Sequence, residues 1–148
     1  MRQSAASRSV LAGGASPHCR GATAYPPPYR SWALEIALDV EIAHAICQNC
    51  SILLVEADTS DYANMMSAVD LAAASGAMAL SGSWGSGEFS DEMSLDIHSD
   101  HPGLAMTFSS GDSGYVMSYP AASPYVTAVG GTSLTPIPAP RSFLATTS

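Results

Sequence analysis

Two acidic residues, Glu35 and Asp39, stand four positions apart in an otherwise apolar stretch of the chain. On an α-helix this spacing places their side chains about 40° apart on one face, within reach of each other. Two neighbouring carboxyls raise the pKa of one member and couple their titration, which suits general acid-base chemistry in the acid range. The alternative is an exposed acidic stripe on a surface helix, where paired acids are common.

A glycine-rich turn, Ser110-Gly111-Asp112-Ser113-Gly114, holds the next candidate. At the end of a strand, such a turn would aim Asp112 into a cleft. A carboxyl that is kept protonated there donates a hydrogen bond to an oxyanion. The alternative is an Asx-type turn that only ends the strand.

Two further groups combine residue types that bind metals. Cys47 and Cys50 form a CxxC pair with His44 one turn earlier, but no second pair completes a zinc site, so a simple helix-to-strand turn is favoured. The second group is a run of acidic and imidazole side chains: Asp96, His98, Asp100 and His101. In a loop before a proline, such a group favours solvated side chains over a metal site. We therefore expect no metal ligands in this chain.

The composition changes abruptly at Trp32, where the part of the chain that must position these residues begins. The pattern predicts a helix over residues 31–46 that is apolar on nearly every side, which is typical of a buried helix. It then predicts strands at 51–57, 77–84, 104–109 and 125–129, and a helix at 62–75. This alternation indicates an α/β fold with a doubly wound, mostly parallel sheet. Functional residues of such sheets lie at the carboxyl ends of strands, where Ser83-Trp84 and Ser110-Gly111-Asp112 both fall.

The two ends of the chain differ in composition from its middle. Residues 1–30 are rich in Arg, Ser and Pro and predict a flexible leader, while residues 136–148 predict a loose Pro-rich tail. The folded domain is therefore expected over residues 31–135. The apolar run near the start is too short for a convincing signal peptide.

The 148 residues carry a formal net charge of −8, and all 13 acidic residues lie after residue 34. This acidic balance argues against nucleic acid or an anionic membrane as a partner. It suits a protein that works at low pH, where carboxylates are partly neutralised. Apolar residues make up 47% of the chain, so a core can form, and no apolar run is long enough to span a membrane.

Taken in order, these motifs resemble the catalytic domain of the sedolisin family of serine-carboxyl peptidases. The resemblance covers Ser31 to about Ser133. Five segments carry it: WALEIALDVE at 32–41, ILLVEA at 52–57, SWG at 83–85, SGDSG at 110–114, and a segment from YPA at 119–121 to AVGGT at 128–132. The resemblance implies a subtilisin-like fold, secretion, and an endopeptidase that hydrolyses extended peptides or proteins at acid pH.

The resemblance also implies a role for individual residues. Glu35 resembles the family's general base, which takes the proton from a nucleophilic serine. Asp39 resembles the second acid, which holds and polarises that glutamate, and Asp112 resembles the aspartate of the oxyanion hole. Three consecutive residues, Ser83, Trp84 and Gly85, resemble the family's strand edge, which pairs with an extended substrate by β-augmentation.

Two parts of the family's pattern have no match in this sequence. The nucleophilic serine lies in a later Gly-Thr-Ser segment followed by a helix, whereas Gly131-Thr132-Ser133 follows the family's earlier strand and lacks that helix. The calcium-binding segment is unmatched too, so we expect no cofactor in this chain. The loop around Ser113 resembles the chymotrypsin-type nucleophile loop, but that enzyme needs two antiparallel barrels, which the predicted elements do not provide.

We therefore expect the front part of a catalytic domain, with a truncated sheet and little activity by itself. The alternatives are a catalytically inactive module that binds extended peptides, and a truncated gene product without a function of its own.

Overall fold

The computed structural model describes residues 6–11, 30–57, 59–133 and 135. The elements follow one another as β1 (Ala6–Leu11), α1 (Arg30–Ile46), β2 (Cys50–Val55), α2 (Tyr62–Ala74), β3 (Ala79–Gly82), β4 (Ser86–Gly87), a 3-10 helix (Glu92–Ser99), β5 (Ala105–Ser109), β6 (Ser118–Tyr119) and β7 (Thr127–Val129). Both predicted helices and the four predicted strands are present, although the strands are shorter than their apolar runs.

The main sheet has five strands in the order β2-β1-β3-β5-β7, and β4 pairs with β6 in a second, two-stranded sheet. Neighbours β3 and β5 are parallel, as are β5 and β7, whereas β1 runs antiparallel to both β2 and β3. Helices therefore combine with a partly parallel sheet, which confirms the α/β class.

Strand β1 corrects the expectation for the leader. Residues 1–30 were predicted to be flexible, yet residues 6–11 pair with β2 on one side and with β3 on the other. The prediction failed because it weighed side chains alone, whereas a strand between two others is held by backbone hydrogen bonds on both edges. The remaining residues before Arg30 and the predicted tail at 136–148 lie outside the described residues.

The core forms between α2 and one face of the sheet. Asp61 caps α2 by accepting a hydrogen bond from the Asn64 backbone N–H at 3.1 Å. The helix buries side chains that recur at helical spacing, namely Met65, Met66, Ala68, Val69 and Ala72. On the sheet, register partners Leu80 and Met106 are both buried, because neighbours in a parallel pair share a face.

Gly82 has a packing role at the carboxyl end of β3. Its register partner on β5 is Phe108, whose ring is fully buried. A Cβ at Gly82 would overlap that ring, so only glycine lets the Phe108 ring approach β3 this closely.

Helix α1 is less buried than its all-round apolar pattern predicted. Four large side chains at a spacing of four residues are exposed by between 53% and 85%: Leu34, Leu38, Ile42 and Ile46. We call these four residues the α1 stripe. The opposite side of the helix, with Trp32, Ile36 and Val40, is partly buried. The prediction of a fully buried helix is wrong because, within the described part of the chain, α1 packs on one side only.

No helix in the described ranges is both long enough and apolar enough to cross a lipid bilayer.

Candidate acid site at the carboxyl end of β3

The acid on α1 that approaches the sheet is Asp39. Ser83 is the first residue after β3, and its hydroxyl Oγ donates a hydrogen bond to Asp39 Oδ1 at 2.6 Å in a partly buried position. The two residues are 44 positions apart. The contact therefore joins the middle of α1 to the carboxyl end of a central strand, which is where α/β sheets place functional groups.

Glu35 lies one turn before Asp39 and is also partly buried. Glu41, the third acid of α1, is exposed. Glu35 and Asp39 thus share the partly buried side of the helix, as their spacing predicted, and do not form an exposed acidic stripe. A pair of carboxyls in such a setting can hold one proton between them more easily than two charges.

The electrostatics of Asp39 are set by two opposing effects. Burial raises the pKa of its carboxyl above the ordinary value, and the hydrogen bond from Ser83 works in the opposite direction but is the weaker effect. Its second oxygen, Oδ2, is buried and has no hydrogen-bond partner among the described residues. The two oxygens of this carboxyl therefore have different surroundings.

The three residues predicted to form a peptide-binding edge are engaged within the molecule. The Ser83 hydroxyl bonds Asp39, and the Trp84 side chain is only 4% exposed. The Trp84 ring meets the ring of Phe108 edge to face, with the centroids 5.2 Å apart. A Cβ on Gly85 would lie 2.8 Å from the Tyr119 carbonyl oxygen, so this backbone packs closely against β6.

The side chain of Trp84 therefore packs in the core, whereas pairing of the backbone of residues 83–85 with a peptide stays a prediction. The sequence motif did not indicate this burial, because a tryptophan next to a strand end can be buried or exposed. A hydrogen bond near Trp84 links two further elements: the hydroxyl of Tyr62, in α2, lies 2.7 Å from Oγ of Ser86, in β4.

Asp112 lies in the loop that follows β5, and its side chain is exposed. Gly111 and Gly114 on either side of it have φ values of +95° and +72°, a backbone region that glycine adopts without strain. Because Gly82 of β3 is in register with Phe108 of the parallel strand β5, this loop leaves the sheet at the same end as Ser83. The topology thus brings Asp112 and the acid pair to one end of the sheet. An oxyanion site must also be enclosed from water, whereas the side chain of Asp112 is exposed.

The predicted His/Asp group is organised by a residue that the sequence did not single out. Asp70 of α2 accepts from His98 Nδ1 at 2.7 Å through Oδ2 and from His101 Nε2 at 3.0 Å through Oδ1. The two histidines therefore tie the 3-10 helix region to α2. No signal marked Asp70, because one acid within a helical pattern is ordinarily a surface residue. Across the described ranges, no group of three or more His, Cys, Asp or Glu side chains is arranged to hold a metal ion.

Tyr119, a neighbour of this group, is almost fully buried, and its hydroxyl donates to Asp96 Oδ1 at 3.3 Å. Burial, followed by the negative charge of Asp96, raises the pKa of the Tyr119 hydroxyl well above its ordinary range. Both effects favour the protonated hydroxyl, which is the form that donates to Asp96.

The CxxC pair forms a disulfide. Cys47 directly follows α1 and Cys50 begins β2, and the bond between them closes the turn with a Cα–Cα distance of 5.3 Å. This pairing agrees with the interpretation of two cysteines in a helix-to-strand turn. It also fixes the end of the helix that carries the acid pair to the start of the sheet's edge strand.

Comparison with protein families, with curated proteins and with solved structures gave no match to any family model, characterised protein or known structure.

Proposed function

We propose that this chain carries the acid pair of a serine-carboxyl endopeptidase of the sedolisin type, on a subtilisin-like fold, acting on extended peptides at acid pH. In this proposal Glu35 is the general base and Asp39 its polarising partner, while Asp112 stabilises the oxyanion. The acidic charge of the chain suits a protein substrate better than nucleic acid.

The observation that carries the proposal is the hydrogen bond from Ser83 Oγ to Asp39 Oδ1. It supports the proposal because it places a partly buried carboxyl, with a second carboxyl one turn away, at the strand end where α/β enzymes work. A surface stripe of acids would have no such contact. The raised pKa of Asp39 adds support, since burial favours the protonated form of this carboxyl in the acid range.

The chemistry that follows is general base catalysis in the acid range. Asp39 retains its proton while Glu35 is ionised, and Glu35 accepts the proton of an attacking hydroxyl. The resemblance implies that the hydroxyl is that of a serine, in a segment for which the 148 residues offer no match. The proposal therefore concerns the base side of the site.

Secretion is proposed with the activity. A disulfide between Cys47 and Cys50 supports it, because such bonds persist in oxidising compartments and are rare in the cytosol.

The alternative of an inactive peptide-binding module finds less support. Its binding edge was expected at residues 83–85, where Trp84 is buried and Gly85 packs against the Tyr119 carbonyl. A peptide that adds a strand needs free backbone hydrogen-bonding groups along the edge.

The test is hydrolysis of an acid-denatured protein at about pH 4, within the range in which paired carboxyls titrate. Products are identified by mass spectrometry, for the 148-residue chain and for any longer product of the same gene. We expect little hydrolysis by the 148-residue chain and clear hydrolysis by a longer product that supplies the serine. In that product Glu35→Gln should abolish hydrolysis, and Glu41→Gln, the matched change at the exposed acid of α1, should retain it. Hydrolysis that survives Glu35→Gln, or no hydrolysis by any of these products, would overturn the proposal.

A further inference from the structure

The Asp39 carboxyl is asymmetric in a way that specifies where its proton resides. Oδ1 accepts the Ser83 hydroxyl at 2.6 Å, whereas Oδ2 is buried without a hydrogen-bond partner in the described ranges. A buried oxygen that carries charge and lacks a donor is costly, so burial favours the protonated form of this carboxyl. Because the Ser83 hydrogen is directed at Oδ1, Oδ2 is the oxygen left to carry the proton.

We infer that Ser83 is a positioning residue: by donating to Oδ1 it directs the proton of Asp39 to Oδ2. The inference deepens the proposed function and rests on it for its role in catalysis, because it names the oxygen of the second acid that holds the proton. It also reassigns Ser83 from the substrate-binding edge to the acid pair.

Two groups near Asp39 define the arrangements that have to be distinguished. On α1 itself, the titratable neighbour is Glu35, one turn away on the same partly buried side. From the sheet, the contact is the uncharged hydroxyl of Ser83. A hydroxyl can either donate to a carboxylate or accept from a protonated carboxyl, so the proton could lie on Oδ2 or on Oδ1. Since a donor stabilises the ionised carboxyl and an acceptor stabilises the protonated one, the two arrangements have opposite effects on the Asp39 pKa.

The experiment is a titration of the Asp39 carboxyl carbon by NMR in the full chain, without any substrate. If Ser83 donates, Ser83→Ala removes a bond that favours the ionised form, so the Asp39 pKa rises, by about one pH unit or a roughly tenfold change in proton affinity. Ser83→Thr keeps a hydroxyl and should keep the wild-type pKa. Ser81→Ala, at an exposed position two residues earlier, is the control and should change nothing.

An Asp39 pKa that is unchanged or lowered in Ser83→Ala would overturn the inference. If Ser83→Ala does not fold, the matched pair Ser83→Thr and Ser83→Val differs by the hydroxyl in side chains of nearly equal shape, and equal Asp39 pKa values in that pair would overturn it as well. The titration requires no turnover. A failure of the peptidase assay with a positive titration would therefore refute the proposed function and leave the proton assignment standing.

Discussion

Ser83 and Asp39 are linked by a hydrogen bond of 2.6 Å that spans 44 positions of sequence. The bond joins the partly buried side of α1 to the end of β3. Asp39 therefore faces the sheet, and Glu35, about 40° away on the helix, lies on the same side.

The first prediction concerns pH and stability. The pKa of Asp39 is raised in the folded state, mainly by burial, so the folded protein binds this proton more tightly than the unfolded chain does. The stabilisation is complete below the ordinary Asp pKa and is lost as the pH rises through the raised folded value. The substitution Asp39→Asn removes that loss, so the stability of the variant relative to the wild type should increase from acid to neutral pH.

Urea unfolding at several pH values measures this effect. Glu41→Gln removes an exposed acid from the same helix and should leave the wild-type pH dependence in place. A wild-type protein whose stability rises across the same interval relative to Asp39→Asn would contradict the prediction.

The second prediction concerns the packing of β3 against β5. Gly82→Ala places a methyl group where it overlaps the ring of Phe108. That ring is fully buried, so it cannot move out into solvent. We expect a loss of about 1–3 kcal/mol in the free energy of unfolding, as for other overpacked cores. Gly87→Ala is the matched control, since a Cβ there meets nothing within 4 Å. Equal stabilities of the two variants would show that the ring does not pack against β3 in this way.

The third prediction concerns the Cys47–Cys50 disulfide. Replacing both cysteines by alanine should lower the free energy of unfolding by about 2 kcal/mol, the chain-entropy value for so short a loop. The wild type should lose the same amount on treatment with a reductant, while the double variant should be insensitive to it. Denaturant unfolding with and without reductant tests this. A wild type whose free energy of unfolding is the same in both conditions would contradict the prediction.

The sequence predicted the elements that periodicity reveals. Helix α2 buries the Met65-Met66 side that its spacing indicated, and α1 covers the expected residues. Strand β1 was missed because its six residues have no strongly apolar alternation, and backbone pairing with distant strands leaves no mark in the local sequence.

The candidate site was predictable in part. The i, i+4 spacing of Glu35 and Asp39 correctly indicated a shared face, since helix geometry is local. The partner Ser83 and the anchoring residue Asp70 were not predictable in these roles, because their contacts join elements far apart in sequence. The burial of the Trp84 side chain was not predictable, because its motif carries no information on burial.

The α1 stripe has a consequence for the acid pair. Ile42 lies seven residues after Glu35 and is therefore only about 20° from it on the helix, while Asp39 lies on the other side of Glu35. Glu35 thus stands on the border between a sheltered flank and an exposed apolar flank. Any molecule that covered Leu38 and Ile42 would also desolvate the carboxyl of Glu35 and so raise its pKa. Assembly on this helix and proton release from its acids would then form a single linked equilibrium, in which either event shifts the other.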